Sequence, residues 1–166
     1  MRLYFTVTAF CIAALLVAAP PAYGQADQPD EIEWKFGPRL TIDGGDINDT
    51  ALGGMLRVRS PSFPVQGSGA FDLYLSEGEA TVFTVDLNGQ VPIEVERWFL
   101  PYVGAGLSIT RESGRAGGGS TTDAGFNLMG GAEVDLRIVN PFVQAQLTLG
   151  DRFDRVGISA GLLFNL

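Results

Sequence analysis

The stretch Val82-Phe83-Thr84-Val85-Asp86-Leu87-Asn88-Gly89-Gln90-Val91-Pro92-Ile93-Glu94-Val95 decides the fold. Its odd positions read Phe83, Val85, Leu87, Gly89, Val91, Ile93 and Val95. Its even positions read Val82, Thr84, Asp86, Asn88, Gln90, Pro92 and Glu94. Successive side chains of a strand point to opposite faces, so this is a long strand with one apolar and one polar face.

The alternation recurs on both sides of it. Strand 1 is expected over about 31–42, with Ile32, Trp34, Phe36, Leu40 and Ile42 opposed to Glu33, Lys35, Arg39 and Thr41. Pro38 removes a ladder hydrogen bond there and predicts a local distortion. Strand 2 is expected over 51–59, strand 3 over 70–76 and strand 4 over 82–95. Strand 5 carries Val103, Ala105, Leu107 and Ile109 on its apolar face. Strand 6 carries Phe126, Leu128, Ala132, Val134 and Leu136, strand 7 Val143, Ala145, Leu147 and Leu149, and strand 8 Val156, Ile158, Ala160, Leu162, Phe164 and Leu166. Asp43–Thr50, Ser60–Gly69 and Arg111–Thr121 read as loops from their Gly, Pro, Asn and Ser content. The turns near Glu96-Arg97 and Arg137-Ile138 are tight. Short turns at one rim and longer loops at the other are the pattern of an outer-membrane barrel; the long 60–69 segment at the short-turn rim departs from it.

Alternation alone admits two barrels. A lipocalin-like soluble barrel, periplasmic or secreted, turns its apolar face inward onto a small apolar ligand; a membrane barrel turns it outward. Three features favour the membrane barrel. Gly104, Gly106, Ser108, Gly131, Gly157, Ser159 and Gly161 crowd the polar face, which suits a narrow interior. The apolar face holds no Lys, Arg, Asp or Glu, where a mid-bilayer charge costs roughly 2–4 kcal/mol. Trp34, Phe36, Trp98, Phe99 and Phe164 gather at strand ends, where an interfacial girdle sits. The expected fold is therefore all-β: an eight-stranded antiparallel up-and-down transmembrane β-barrel over 31–166.

The N-terminus fits that destination. Arg2 precedes an apolar run, Ala9 to Ala19, that is shorter than the roughly 20 residues a spanning helix needs. Ala22-Tyr23-Gly24 is a small-x-small cleavage site. Residues 1–24 are read as a cleaved signal peptide and 25–30 as a polar leader. Cleavage removes Cys11 and Arg2. The remaining chain is 166 minus 24, or 142, residues, without cysteine, and its formal charge is 10 minus 19, or −9. An acidic chain argues against a nucleic-acid partner, which calls for a basic face.

The run Pro101-Tyr102-Val103-Gly104-Ala105-Gly106-Leu107 resembles a recurring strand of small outer-membrane β-barrel-domain proteins, porin-like barrels of the OmpA or OmpX type. Gly125–Glu133 and Pro141–Asp151 resemble its next two strands. The resemblance spans about Phe71 to Leu166. It implies a barrel inserted by the outer-membrane assembly machinery, which reads an alternating C-terminal strand. Leu162, Phe164 and Leu166 hold the matching positions, with Leu166 in place of the usual terminal aromatic.

The chain has no histidine. That removes the commonest general base, and with it the Ser-His machinery of lipid-hydrolysing barrels. No cofactor and no enzymatic activity are expected. Asp43, Asp46, Asn48 and Asp49 crowd one loop, as oxygen ligands of Ca²⁺ do, but no Glu closes the set and a solvated turn is the preferred reading. Gly114–Ser120 reads as an external loop. The inward charges are Glu33, Lys35, Arg39, Arg57, Arg59, Asp72, Asp86, Glu94, Glu133 and Asp135. Eight strands enclose only enough space for side chains, so this set is expected to plug the lumen by mutual neutralisation. Arg57 and Arg59 are expected beside Glu33 and Asp72, with Glu94, Glu133 and Asp135 across from them. The function expected is that of a monomeric, non-enzymatic barrel in outer-membrane lipid, structural or acting through its loops.

Overall fold

Eight antiparallel strands close into one barrel in sequence order, β1 pairing with β8. They are β1 Glu33–Gly45, β2 Thr50–Arg59, β3 Gln66–Tyr74, β4 Thr81–Pro92, β5 Phe99–Ser113, β6 Ser120–Val134, β7 Val139–Gly150 and β8 Arg155–Asn165. The computed structural model describes residues 32–75, 81–93, 95–96, 98–113, 119–152 and 154–166. The expected signal peptide and leader, Glu94 and most of the Gly114–Ser120 segment lie outside them.

The apolar face is the outer one. Ile42, Leu52, Leu87, Leu107, Val143, Val156 and Ile158 are exposed, and their strand neighbours Asp43, Ala51, Asp86, Ser108, Gln144, Arg155 and Ser159 are buried. This is the polarity of a membrane barrel and the reverse of a lipocalin-like one. A water-soluble monomer rarely exposes an apolar patch beyond a few hundred Å². The small apolar interior, Met55, Ala70, Phe142 and Leu163, forms one cluster inside the barrel.

Three segments expected as loops are strand. Gln66 to Gly69 belongs to β3, which leaves only 60–65 as connection. Asp43 to Gly45 extends β1. Arg111 to Ser113 and Ser120–Thr121 extend β5 and β6. In each case Gly or Ser was read as a chain breaker. In the barrel these glycines are strand residues instead, Gly44 and Gly45 at the end of β1 and Gly67 and Gly69 on the outward face of β3. Pro38 leaves its mark on the closing seam: Phe36 pairs with Phe164 and Arg39 with Gly161, but positions 37 and 38 have no β8 partner. Its pairing with Gly54 of β2 persists.

Candidate functional site in the barrel lumen

The inward positions of the strands carry four buried cations, Lys35, Arg39, Arg57 and Arg155. They meet four buried carboxylates, Asp43, Asp72, Asp86 and Glu133; a fifth buried carboxylate, Asp123 of β6, accepts the Arg152 amide at 3.2 Å. A charge in so narrow a space is tolerable only when paired and hydrogen-bonded. The pairs form two groups along the barrel axis.

The lower group lies toward the β1 N-terminus. Lys35 Nζ donates to Glu133 Oε1 at 2.6 Å, and Arg57 Nη1 donates to Glu133 Oε2. One carboxylate of β6 thus serves two cations from β1 and β2. The Arg57 guanidinium lies 4.6 Å from the Tyr102 ring centroid and 5.7 Å from that of Phe142. Both distances are within cation–π range. A hollow of about 10 Å³ beside this group, bordered by Lys35, Arg57 and Glu133 and toward the rim by Glu33 and Arg59, has room for about one water.

The upper group is centred on Arg39. Its Nε donates to Asp72 Oδ1 at 2.8 Å and its Nη2 to Asp72 Oδ2, a bidentate pair. Thr41 Oγ1 reaches the same Asp72 oxygen at 3.4 Å. Asp86 stands between two arginines, 3.6 Å from Arg39 Nη2 and 3.7 Å from Arg155 Nη2. Arg155 Nη1 donates to Tyr74 Oη at 2.6 Å and to Asp43 Oδ2 at 3.2 Å, and the Tyr74 hydroxyl donates to Asp43. Uncharged side chains join the two groups. Tyr102 donates to Gln144 at 3.1 Å, Gln144 to Gln146 at 3.1 Å, and Gln146 to Asp86 Oδ2 at 3.3 Å. Asn127 donates to both Asp86 and Asn88, at 3.2 and 3.0 Å.

Lys35, Arg39, Arg57, Asp72, Asp86 and Glu133 therefore meet in the lumen. Of the other expected members, Glu94 lies outside the described residues, and Glu33 and Arg59 border the rim side of the hollow beside the lower group. Glu33 is exposed at the rim, in register with a half-buried Arg59. Asp135 falls beyond the end of β6, where face alternation no longer applies; its Oδ1 accepts the Arg137 amide at 2.9 Å and shapes the β6–β7 turn. Asp72 is not beside Arg57. Across β2 it lies level with Gly53, and Gly53 is level with Arg39, so Arg39 reaches Asp72 over a residue without a side chain. Asp43 and Arg155 were missed. Asp43 continues the inward odd series Lys35, Arg39, Thr41, and Arg155 has the parity of Gly157 and Ser159, but flanking glycines and loop residues concealed both.

The inward glycines explain how these side chains fit. A Cβ on Gly53 would strike the Phe71 carbonyl oxygen and Asp72 Oδ1. One on Gly106 would strike Asn88, and one on Gly157 would strike Asp43. Gly131 and Gly161 likewise vacate space for the rings of Tyr102 and Phe142. Small and large residues alternate around the wall, as a filled barrel requires. Gly53→Ala is therefore expected to destabilise the barrel by about 1–3 kcal/mol through overpacking. Gly67→Ala, where a Cβ meets nothing within 4 Å, should leave it unchanged. Thermal loss of the compact band on a detergent gel distinguishes the two; equal behaviour would contradict the packing argument.

The acidic loop spends its oxygens on the protein itself. Asp43 points into the lumen, Asp46 Oδ2 accepts the Asp154 amide at 2.9 Å, and Asp49 Oδ1 accepts the Thr50 amide at 2.7 Å. Gly45, at φ 88°, and Asn48, at φ 43°, supply the left-handed backbone of this turn. Among the described residues no group of three or more Asp, Glu, Cys or His is placed to hold a metal.

At the C-terminus Leu162, Phe164 and Leu166 all face outward, and the Leu166 amide donates to the Trp34 carbonyl at 2.9 Å.

No protein-family model and no curated protein matches the chain. Solved structures do. Neisserial surface protein A is 12% identical, with 80% of this chain and 96% of that one covered at a TM-score of 0.61. The N-terminal β-barrel domain of Pseudomonas aeruginosa OprF is 13% identical, with 80% and 97% covered at 0.63. Ail, the attachment invasion locus protein of Yersinia pestis, is 11% identical, with 84% and 100% covered at 0.58. These are eight-stranded outer-membrane barrels, and this chain has their fold.

Proposed function

We propose that this chain is a monomeric, integral outer-membrane barrel whose lumen is closed by its own side chains. Its role is structural, or carried by the loops it presents at the cell surface. The observation that carries this reading is the polarity of the wall. Large apolar side chains cover the outside, and every charge of the lumen groups has an opposite charge within 4 Å. Outer-membrane lipid is the natural solvent of such a wall.

Export through the signal peptide of residues 1–24 and insertion by the assembly machinery, reading Leu162, Phe164 and Leu166, belong to the same proposal. The mass of the membrane-inserted protein should correspond to a chain starting at Gln25; retention of Met1 would contradict cleavage.

Catalysis has no support in the lumen chemistry. There is no histidine, and Asp43, Asp72, Asp86 and Glu133 are paired with Lys35, Arg39, Arg57 and Arg155. Closure of the lumen is tested by conductance. Purified protein in planar bilayers should show no steady ion current. A stable open level in the unmodified protein would overturn the plug.

A further inference from the structure

We propose that the 60–65 connection is a membrane anchor, which seats Phe63 in the interface of the leaflet at the rim where the chain enters β1. The inference rests on the membrane-spanning reading and adds a specific contact to it. Its occupant is a phospholipid leaflet.

Three observations converge on this segment. The first is its chemistry. Ser60-Pro61-Ser62-Phe63-Pro64-Val65 carries no charge, whereas the other two connections at this rim contain Glu94, Glu96 and Arg97, and Asp135 and Arg137. Phe63 is 63% exposed, and its amide donates to the Ser60 carbonyl at 3.1 Å. A hydrogen-bonded turn between two prolines thus presents a bare aromatic ring at little further entropic cost.

The second is a gap in the aromatic girdle. At this rim Trp34 and Phe36 stand on β1, Trp98 and Phe99 at the start of β5, and Phe164 on β8. The feet of β2, β3 and β4 carry only Val58, Gly67, Gly89 and Val91 on the outer face. An aromatic belt fixes a barrel's depth by placing rings at headgroup level. Phe63 is the aromatic residue available to that bare sector.

The third is a trough in the outer wall at the same place. Gly67 is level with Gly89, and Gly69 with Leu87. Gly67, Gly69 and Leu87, with Leu56 and Val58 alongside, border an open depression of about 460 Å³. The Val65 side chain lies over the outer face of Gly89, 3.5 Å from where a Cβ would stand. The connection therefore meets the outer wall at Gly89, level with Gly67 at the edge of this depression. A hydrocarbon chain lying in the trough would complete the wall, with Phe63 above it at the headgroups.

The test uses the absence of cysteine after residue 24. Phe63→Cys and, separately, Val85→Cys are labelled with a polarity-sensitive fluorophore. Each is reconstituted into phosphatidylglycerol/phosphatidylcholine vesicles bearing a nitroxide near the headgroup or deep in the acyl chain. The label at 63 should emit blue-shifted light and be quenched more by the shallow nitroxide than by the deep one. The label at 85, mid-strand on the outer wall, should be quenched more by the deep one. Water-like, unquenched emission at 63 with a quenched label at 85 would overturn the anchor alone. Unquenched labels at both positions would overturn the spanning reading and the anchor with it.

Discussion

Glu133→Leu is expected to be the most damaging single substitution in the lumen. Among the described residues Glu133 is the one carboxylate bonded to both Lys35 and Arg57, and all three side chains are buried. Its removal takes from both buried cations the counter-charge they share. Breaking a buried pair from one side typically costs about 3–5 kcal/mol, and here two pairs break together. Arg57→Leu should cost less, because Glu133 keeps Lys35. Arg59→Leu should cost least, since Arg59 is only half-buried at the rim. The temperature at which the compact, heat-modifiable band is lost on a detergent gel should rank them in that order. Replacing Lys35, Arg57 and Glu133 together by methionine or leucine should recover much of the loss, because no charge is then stranded. A Glu133→Leu barrel as heat-resistant as the unmodified one would refute the lumen pairing.

The outer wall supplies the second large effect. Val85 lies midway along β4 and faces outward. An arginine there must enter hydrocarbon, at roughly 2–4 kcal/mol near the midplane and about 0–1 near the interface. Val85→Arg and Val143→Arg should sharply lower the yield of folded protein in bilayers. Thr81→Arg, at the outer end of the same β4, should be nearly silent. If all three insert equally well, the outer wall does not face lipid.

How far these residues could be read from sequence follows from what sets each feature. Face alternation is local, so the apolar series Phe83, Val85, Leu87 and the polar series Thr84, Asp86, Asn88 are visible in the chain itself. The polarity of the barrel is also legible, because the small residues Gly104, Gly106, Gly131 and Gly157 lie on the charged face and would serve no purpose in water. Strand ends are less so. Gly67, Gly69 and Gly44–Gly45 look like breaks, although in the barrel they belong to strands. That error hid Asp43 behind two glycines.

Partner identity is the least local property. Whether Asp72 meets Arg57 or Arg39 depends on the register of three strands and on which intervening residue lacks a side chain. Gly53 decides it, and its role appears only once β1, β2 and β3 are aligned. Glu133 finds Arg57 across the lumen, a relation that exists only after β1 and β8 close the circle. Asp135 shows the converse: its parity was right, but parity has no meaning one residue past the end of β6.

The central claim is that this wall lives in lipid. Fractionation of expressing cells tests it most directly. The protein should sediment with the outer membrane, resist extraction by alkaline carbonate, and enter solution only with detergent. Recovery in the soluble periplasmic fraction, folded and without detergent, would contradict the account.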